Sequence, residues 1–87
     1  MLTIRLTNTF KRDLKVCQKR HYDISLLSAV VDTLRVPDRL DSKHQDHPLK
    51  GSIYRDCHIV PDWILLYRYD GDVLELYRTG THSDLFR

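Results

Sequence analysis

Residues 63–79, WILLYRYDGDVLELYRT, carry two runs rich in Ile, Leu, Val and Tyr on either side of Asp-Gly-Asp. Apolar and polar positions trade places along these runs with period two, the mark of strands that bury one face. Asp and Gly accept the positive φ that tight hairpin turns need, so the stretch predicts two antiparallel strands. Immediately upstream, SIYRDCHI (52–59) repeats the alternation, and Val-Pro-Asp (60–62) supplies a second turn in which the proline presets φ. Residues 52–79 therefore predict a three-stranded meander.

Outward from it, LTIRLT (2–7) alternates in the same way and predicts a first strand that must pair with the meander, since its edge would otherwise stay open. Asn8 or Thr9 is the expected cap of a first helix in which Phe10, Leu14 and Cys17 share a face, while Lys11, Lys15 and Lys19 form a stripe on another. Asp23 is the expected cap of a second helix, with Ile24, Leu27, Val30, Val31 and Leu34 on its apolar face and Pro37 ending it. The short His-Tyr-Asp junction predicts an antiparallel helical hairpin. Residues 38–51, DRLDSKHQDHPLKG, show no periodicity and are expected as loop. The order β-α-α-β-β-β gives an α+β fold, a curved antiparallel sheet with the helical hairpin on one face.

The 87 residues suit one domain. With 30% charged and 41% hydrophobic residues the composition is that of a globular protein and excludes a disordered chain or a membrane span. The first ten residues lack the apolar run of a signal peptide, and the expectation is a cytoplasmic protein. Cys17 and Cys57 fit no metal spacing and are expected as buried thiols. A net charge of +2 is too small to make the whole protein a strong polyanion binder, although KRDLKVCQKRH (11–21) gathers five cations.

Four of the five histidines, His44, His47, His58 and His82, fall in loops or near strand ends, where catalytic groups tend to sit. In a straight strand His58 and Asp62 would lie about 13 Å apart, but the proline turn folds Asp62 back. Gly80 lets the tail bend and carry His82 over the sheet. Imidazoles, an aspartate and arginines suit RNA cleavage, which needs a base for the 2′-hydroxyl, an acid for the leaving 5′-oxygen and cations for the phosphate. Arg55, Arg68 and Arg78 are candidate cations; Tyr54, Trp63, Tyr67 and Phe86 are candidate base platforms, although Trp63 and Tyr67 equally suit a core. No His-x-x-x-His or Cys-x-x-Cys spacing supports zinc, and no metal or cofactor is expected.

QDHPLKG (45–51), YRDCHIVPDWILLY (54–67) and RTGTHSDLF (78–86), following a first helix that ends in QKRH (18–21), together resemble the YafQ branch of the RelE superfamily of toxins from bacterial type II toxin–antitoxin systems. The likeness spans essentially the whole chain. It implies the RelE-like β-α-α-β-β-β fold and a ribosome-dependent endoribonuclease that cuts messenger RNA in the ribosomal A site. It also implies an acidic DinJ- or RelB-like antitoxin encoded alongside, operator DNA reached only through the toxin–antitoxin complex, and no membrane. By motif it places His47, His58, Asp62 and His82 in the catalytic site and Lys50, Arg55, Trp63, Arg78 and Phe86 against RNA. His82 is the expected general acid and Asp62 or His47 the base, with His58 and Arg55 steadying the phosphate. The chain departs from the family pattern where only Ser-Ile-Tyr separates Gly51 from Arg55, a shorter segment that bears on the spacing of His47 from His58. Two other classes stay open: a toxin of the same fold that acts by binding, as ParE-like gyrase poisons do, and a catalytically silent partner of antitoxin and DNA.

Overall fold

The computed structural model describes residues 2–36 and 44–86. In chain order its elements are β1 (Thr3–Leu6), α1 (Asn8–Lys19), α2 (Ile24–Arg35), β2 (His47–Pro48), β3 (Arg55–Val60), β4 (Trp63–Asp70), β5 (Val73–Gly80) and α3 (His82–Leu85). They build a five-stranded sheet in the order β1-β5-β4-β3-β2. The meander is present as β3, β4 and β5, antiparallel throughout. β1 pairs with β5, and the pairing is parallel, the intervening helices and strands serving as the long crossover that parallel neighbours require.

Gly71 stands at the first central position of the β4–β5 hairpin with φ +59°, the place a type II′ turn reserves for glycine. Pro61 and Asp62 form the two-residue connection between Val60 and Trp63. Register slips between Leu66 and Tyr67 against β5, which leaves Tyr77 as the extra residue of a bulge, and again between His58 and Val60. Such bulges bend a strand and raise its twist, so the sheet curves.

Four sequence expectations change, the first being that the sheet is mixed and not wholly antiparallel, because β1 joins β5 in parallel. Thr7 caps α1, its hydroxyl accepting from the Phe10 amide at 3.0 Å, and the two expected caps, Asn8 and Thr9, lie inside the helix. A threonine one residue earlier suffices because the same hydroxyl also donates to the Tyr77 carbonyl, fixing the entry of the helix to β5. The expected loop contains β2, which extends the sheet beyond β3. Val60, expected in the turn, belongs to β3, which runs from Arg55 past His58 to Val60. Asp23 caps α2 as expected. That helix closes at Arg35, and Pro37 lies outside the described residues.

Residues paired across the antiparallel strands share a face. Cys57, Ile59, Trp63, Leu65, Tyr67, Leu74 and Leu76 turn toward the helices and meet Phe10, Cys17, Leu27, Val30, Val31 and Leu34 in one hydrophobic cluster. Both cysteines are buried free thiols, and burial pushes each thiol pKa up. Lys11, Lys15 and Lys19 stay exposed on α1. No helix among the described residues is long and apolar enough to cross a membrane.

Candidate active site

The sheet face turned away from the helices carries the titratable groups. In β3, Cys57 and Ile59 are in the core, and the alternation sends Asp56 and His58 to the opposite face. Two cross-strand rows follow from the register. One joins His47, Asp56, Leu66 and Arg78 across β2, β3, β4 and β5; the next joins His58, Ile64 and Gly80. The short Gly51–Arg55 segment does not spoil this arrangement. Gly51 at φ +76° closes a tight turn in which the Ser52 amide donates to the Leu49 carbonyl and the Leu49 amide to the Tyr54 carbonyl, bringing His47 opposite Asp56.

The tail arrives by a different device. Thr81 caps α3 in a capping box, its hydroxyl accepting from the Asp84 amide while the Asp84 carboxylate accepts from the Thr81 amide. Arg20, at the end of α1, grips the same carboxylate through both guanidinium nitrogens at 2.6 and 3.2 Å. These bonds hold the Asp84 pKa well below the usual carboxylate range. A Cβ at Gly80 would come within 2.9 Å of the Asp84 carboxylate, so glycine is what allows α3 to fold back against the strand.

Folded in this way, α3 presents His82 to the β3–β4 turn. Asp62 accepts from His82 twice through one oxygen, from ring Nδ1 at 2.7 Å and from the backbone amide at 3.1 Å. The paired imidazole is the main cause of the lowered Asp62 pKa, with the amide second. Nδ1 is thereby the protonated nitrogen of a neutral His82 ring, and Nε2 is left for other chemistry. The His82 and His58 rings meet edge to face with centroids 5.4 Å apart, and the exposed Phe86 ring lies 6.2 Å from His82. The His44 ring contacts the His58 carbonyl through Nδ1 at 2.6 Å. His47 contacts the Gln45 carbonyl through its own Nδ1 at 2.7 Å.

The structure therefore gathers His58, Asp62, His82 and Phe86, and the register sets His47 on the same face one row away. Lys50 is exposed at the turn after β2. Three expected RNA contacts are placed differently. Trp63 is 3% exposed, its indole N–H donating to the Thr79 hydroxyl at 2.8 Å and its ring tilted against Tyr22, so it is a core residue and not a base platform. Its alternation with Ile64, which lies beside His58 on the opposite face of the sheet, makes this unavoidable. Arg55 pairs with Tyr67, a core position, and its guanidinium goes to Asp46 at 3.2 Å on the helix side of the sheet, away from His58. Arg78 lies in the His47–Asp56 row, but its guanidinium is bound at both ends by Asp13 of α1. Of the remaining candidates, Tyr67 is fully buried with its hydroxyl on Asp46, Tyr54 stacks on Tyr77 with centroids 4.0 Å apart, and Arg68 pairs with Glu75.

Sequence reasoning missed Asp56, and it noted His44 as a loop histidine but left it outside the site. Asp56 stood in the quoted YRDCH motif two residues before His58, the spacing that puts both on one face of a strand. His44 gave no comparable signal, since its bond to the His58 carbonyl depends on a loop path. Among the described residues no group of three or more His, Cys, Asp or Glu is placed to hold a metal ion.

Residues 2–87 match the family described as "Bacterial toxin of type II toxin-antitoxin system, YafQ". The mRNA interferase toxin YafQ of Escherichia coli K12 is 41% identical over 87 residues, covering 95% of this chain and 94% of its own. A putative toxin YafQ of Haemophilus influenzae is 33% identical over 93 residues, covering 94% of this chain and 89% of its own. The crystal structure of the E. coli DinJ–YafQ complex matches with a TM-score of 0.92 at 39% identity, covering all of both chains.

Proposed function

Because this chain belongs to the YafQ family of type II toxins, we propose that it is an mRNA interferase, an endoribonuclease held in check by a cognate antitoxin. The E. coli relative is named for that activity and crystallises with DinJ in a toxin–antitoxin complex. A DinJ-like acidic protein is the partner expected here. The toxin acts in the cytoplasm, on messenger RNA in the ribosomal A site.

The observation that carries the reading is the meeting of His82, exposed and oriented by Asp62, with the largely buried His58 on the sheet face turned away from the helices. Cleavage on this face is transesterification. A base takes the proton of a 2′-hydroxyl, the 2′-oxygen bonds to the adjacent phosphorus, the bond from phosphorus to the 5′-oxygen breaks, and an acid protonates that oxygen, leaving a 2′,3′-cyclic phosphate. His82 serves as the acid in its imidazolium form, giving up the Nε2 proton while its Nδ1–H stays on Asp62. The Asp62 carboxylate is already taken up by His82, which leaves the imidazoles His47 and His58 as the proton acceptors. Phe86 offers an exposed ring beside the site for a base to stack on. The exposure of the Asp62–His82 pair suits a ribosome-bound strand, because the ribosome supplies in-line positioning that a closed pocket would otherwise provide.

Primer extension on messenger RNA from cells expressing the chain without antitoxin tests the reading. Cuts within codons are expected from wild type, and their loss from His82→Ala, with cleavage falling on the order of 10²-fold or more. Growth arrest without cuts in wild type would transfer the protein to the binding toxins. Equal cutting by both chains would remove His82 from the mechanism.

A further inference from the structure

The sheet face holds a second carboxylate that the mechanism above does not use. Asp56 is 5% exposed, and its Oδ1 is buried without a hydrogen-bond partner. Its one ionic neighbour among the described residues is His58, whose Nε2 lies 3.6 Å from that oxygen. A buried carboxylate oxygen without a hydrogen-bond partner costs free energy that a core site would not retain without compensation. The spacing is just outside hydrogen-bond range, and apo catalytic contacts often close only when substrate binds.

Building on the ribonuclease reading, we propose that Asp56 is a positioning residue that sets the tautomer and orientation of His58. Its carboxylate accepts the Nε2 proton, so that the lone pair stands on Nδ1, the nitrogen left to take the proton of the 2′-hydroxyl. The resulting imidazolium is then stabilised by the same carboxylate, as in a carboxylate–histidine–nucleophile triad. His58 is held at two points: Asp56 faces its ring, and His44 binds its carbonyl. The other ionisable groups near this pair are His82 against the His58 ring, with Asp62 behind it, and His47 and Arg78 in the Asp56 row, Arg78 being bound by Asp13. Two carboxylate–imidazole pairs thus meet on one face. In the exposed Asp62–His82 pair Nδ1 faces the carboxylate, and in the buried Asp56–His58 pair Nε2 does, so the two pairs engage opposite ring nitrogens.

Nitrogen-15 correlation of the histidine rings in the intact wild-type chain reads the tautomer directly. Nε2–H is expected for the neutral His58 ring; Nδ1–H would overturn the proposal. In Asp56→Asn the amide turns a donor toward Nε2, so the Nδ1–H form should grow. Single-turnover cleavage of ribosome-bound messenger RNA should then fall by about tenfold or more, while ribosome binding is retained. In a His58→Gln background the same change should cost less than about twofold, because Asp56 acts through the ring it faces. Asp56→Asn cleaving within about twofold of wild type, or slowing His58→Gln as much as it slows the parent, overturns the assignment. Should Asp56→Asn fail to fold, the wild-type tautomer decides. A wild-type chain that does not cut RNA refutes the ribonuclease reading, and the ring spectrum still reports on Asp56.

Discussion

At the scale of single residues, the strand alternation separates groups that adjacency in sequence suggests belong together. Asp62 and Trp63 are neighbours in the PDW motif, yet Asp62 occupies the turn and bonds to His82 while Trp63 begins β4 with its indole in the core. The two residues therefore fail differently when changed. Trp63→Phe keeps most of the apolar volume but loses the N–H to Thr79, whose hydroxyl still donates to the Ile64 carbonyl. It should cost about 1–3 kcal/mol in denaturant unfolding and leave the single-turnover cleavage rate within about twofold of wild type under conditions where both chains are folded. A large loss of rate without loss of stability would return Trp63 to the RNA.

At the scale of elements, α3 is too short to be stable by itself, since four residues cannot offset the cost of helix nucleation. Its position comes from the Thr81–Asp84 capping box, Arg20 and Asp62. Arg20→Ala removes the link to α1 and leaves His82 chemically intact. Because misplacement of a catalytic group by about 1 Å can cost 10²-fold, the variant should cleave on the order of tenfold more slowly with little change in melting temperature. Parallel losses in melting temperature and rate would instead make Arg20 a general stabiliser. The same element shows where sequence reading stops. The meander, both long helices and the return of the tail at Gly80 were legible because period-two and helical patterns, turn glycines and a proline mark them. β2 was not, since His47 and Pro48 carry no alternation and pair only because the Gly51 turn returns the chain beside β3. Arg55 was assigned to the phosphate on residue type, and only the register with Tyr67 reveals that it faces the other way.

At the scale of the whole molecule, ion pairs fasten β1 and α3 to the rest of the fold, and two of them also build the site. Arg5 joins β1 to Glu75 and Asp70, Arg68 adds a second cation on Glu75, Arg20 joins α1 to Asp84, and Asp62 holds His82. Each of these four carboxylates has its pKa lowered: Asp62 chiefly by His82, Asp70 by Arg5, Glu75 by Arg68 and Asp84 by Arg20. A carboxylate whose folded pKa lies below its unfolded value contributes stability that is fully present above the unfolded value, near 4, and is lost as pH falls through the folded value. The melting temperature should therefore change little between about pH 7 and 5 from these groups and drop steeply below about pH 4. Glu75 is the most buried of the four, 7% exposed and bound by two arginines and the Tyr54 hydroxyl. Glu75→Gln should melt lower than wild type at neutral pH and show a shallower fall in acid, so that the two curves converge as the wild-type carboxylate takes up its proton. Parallel curves for the two chains down to about pH 2.5 would show that acid sensitivity arises elsewhere, and that the sheet edge at β1 is held by its backbone pairing with β5 and not by its charges.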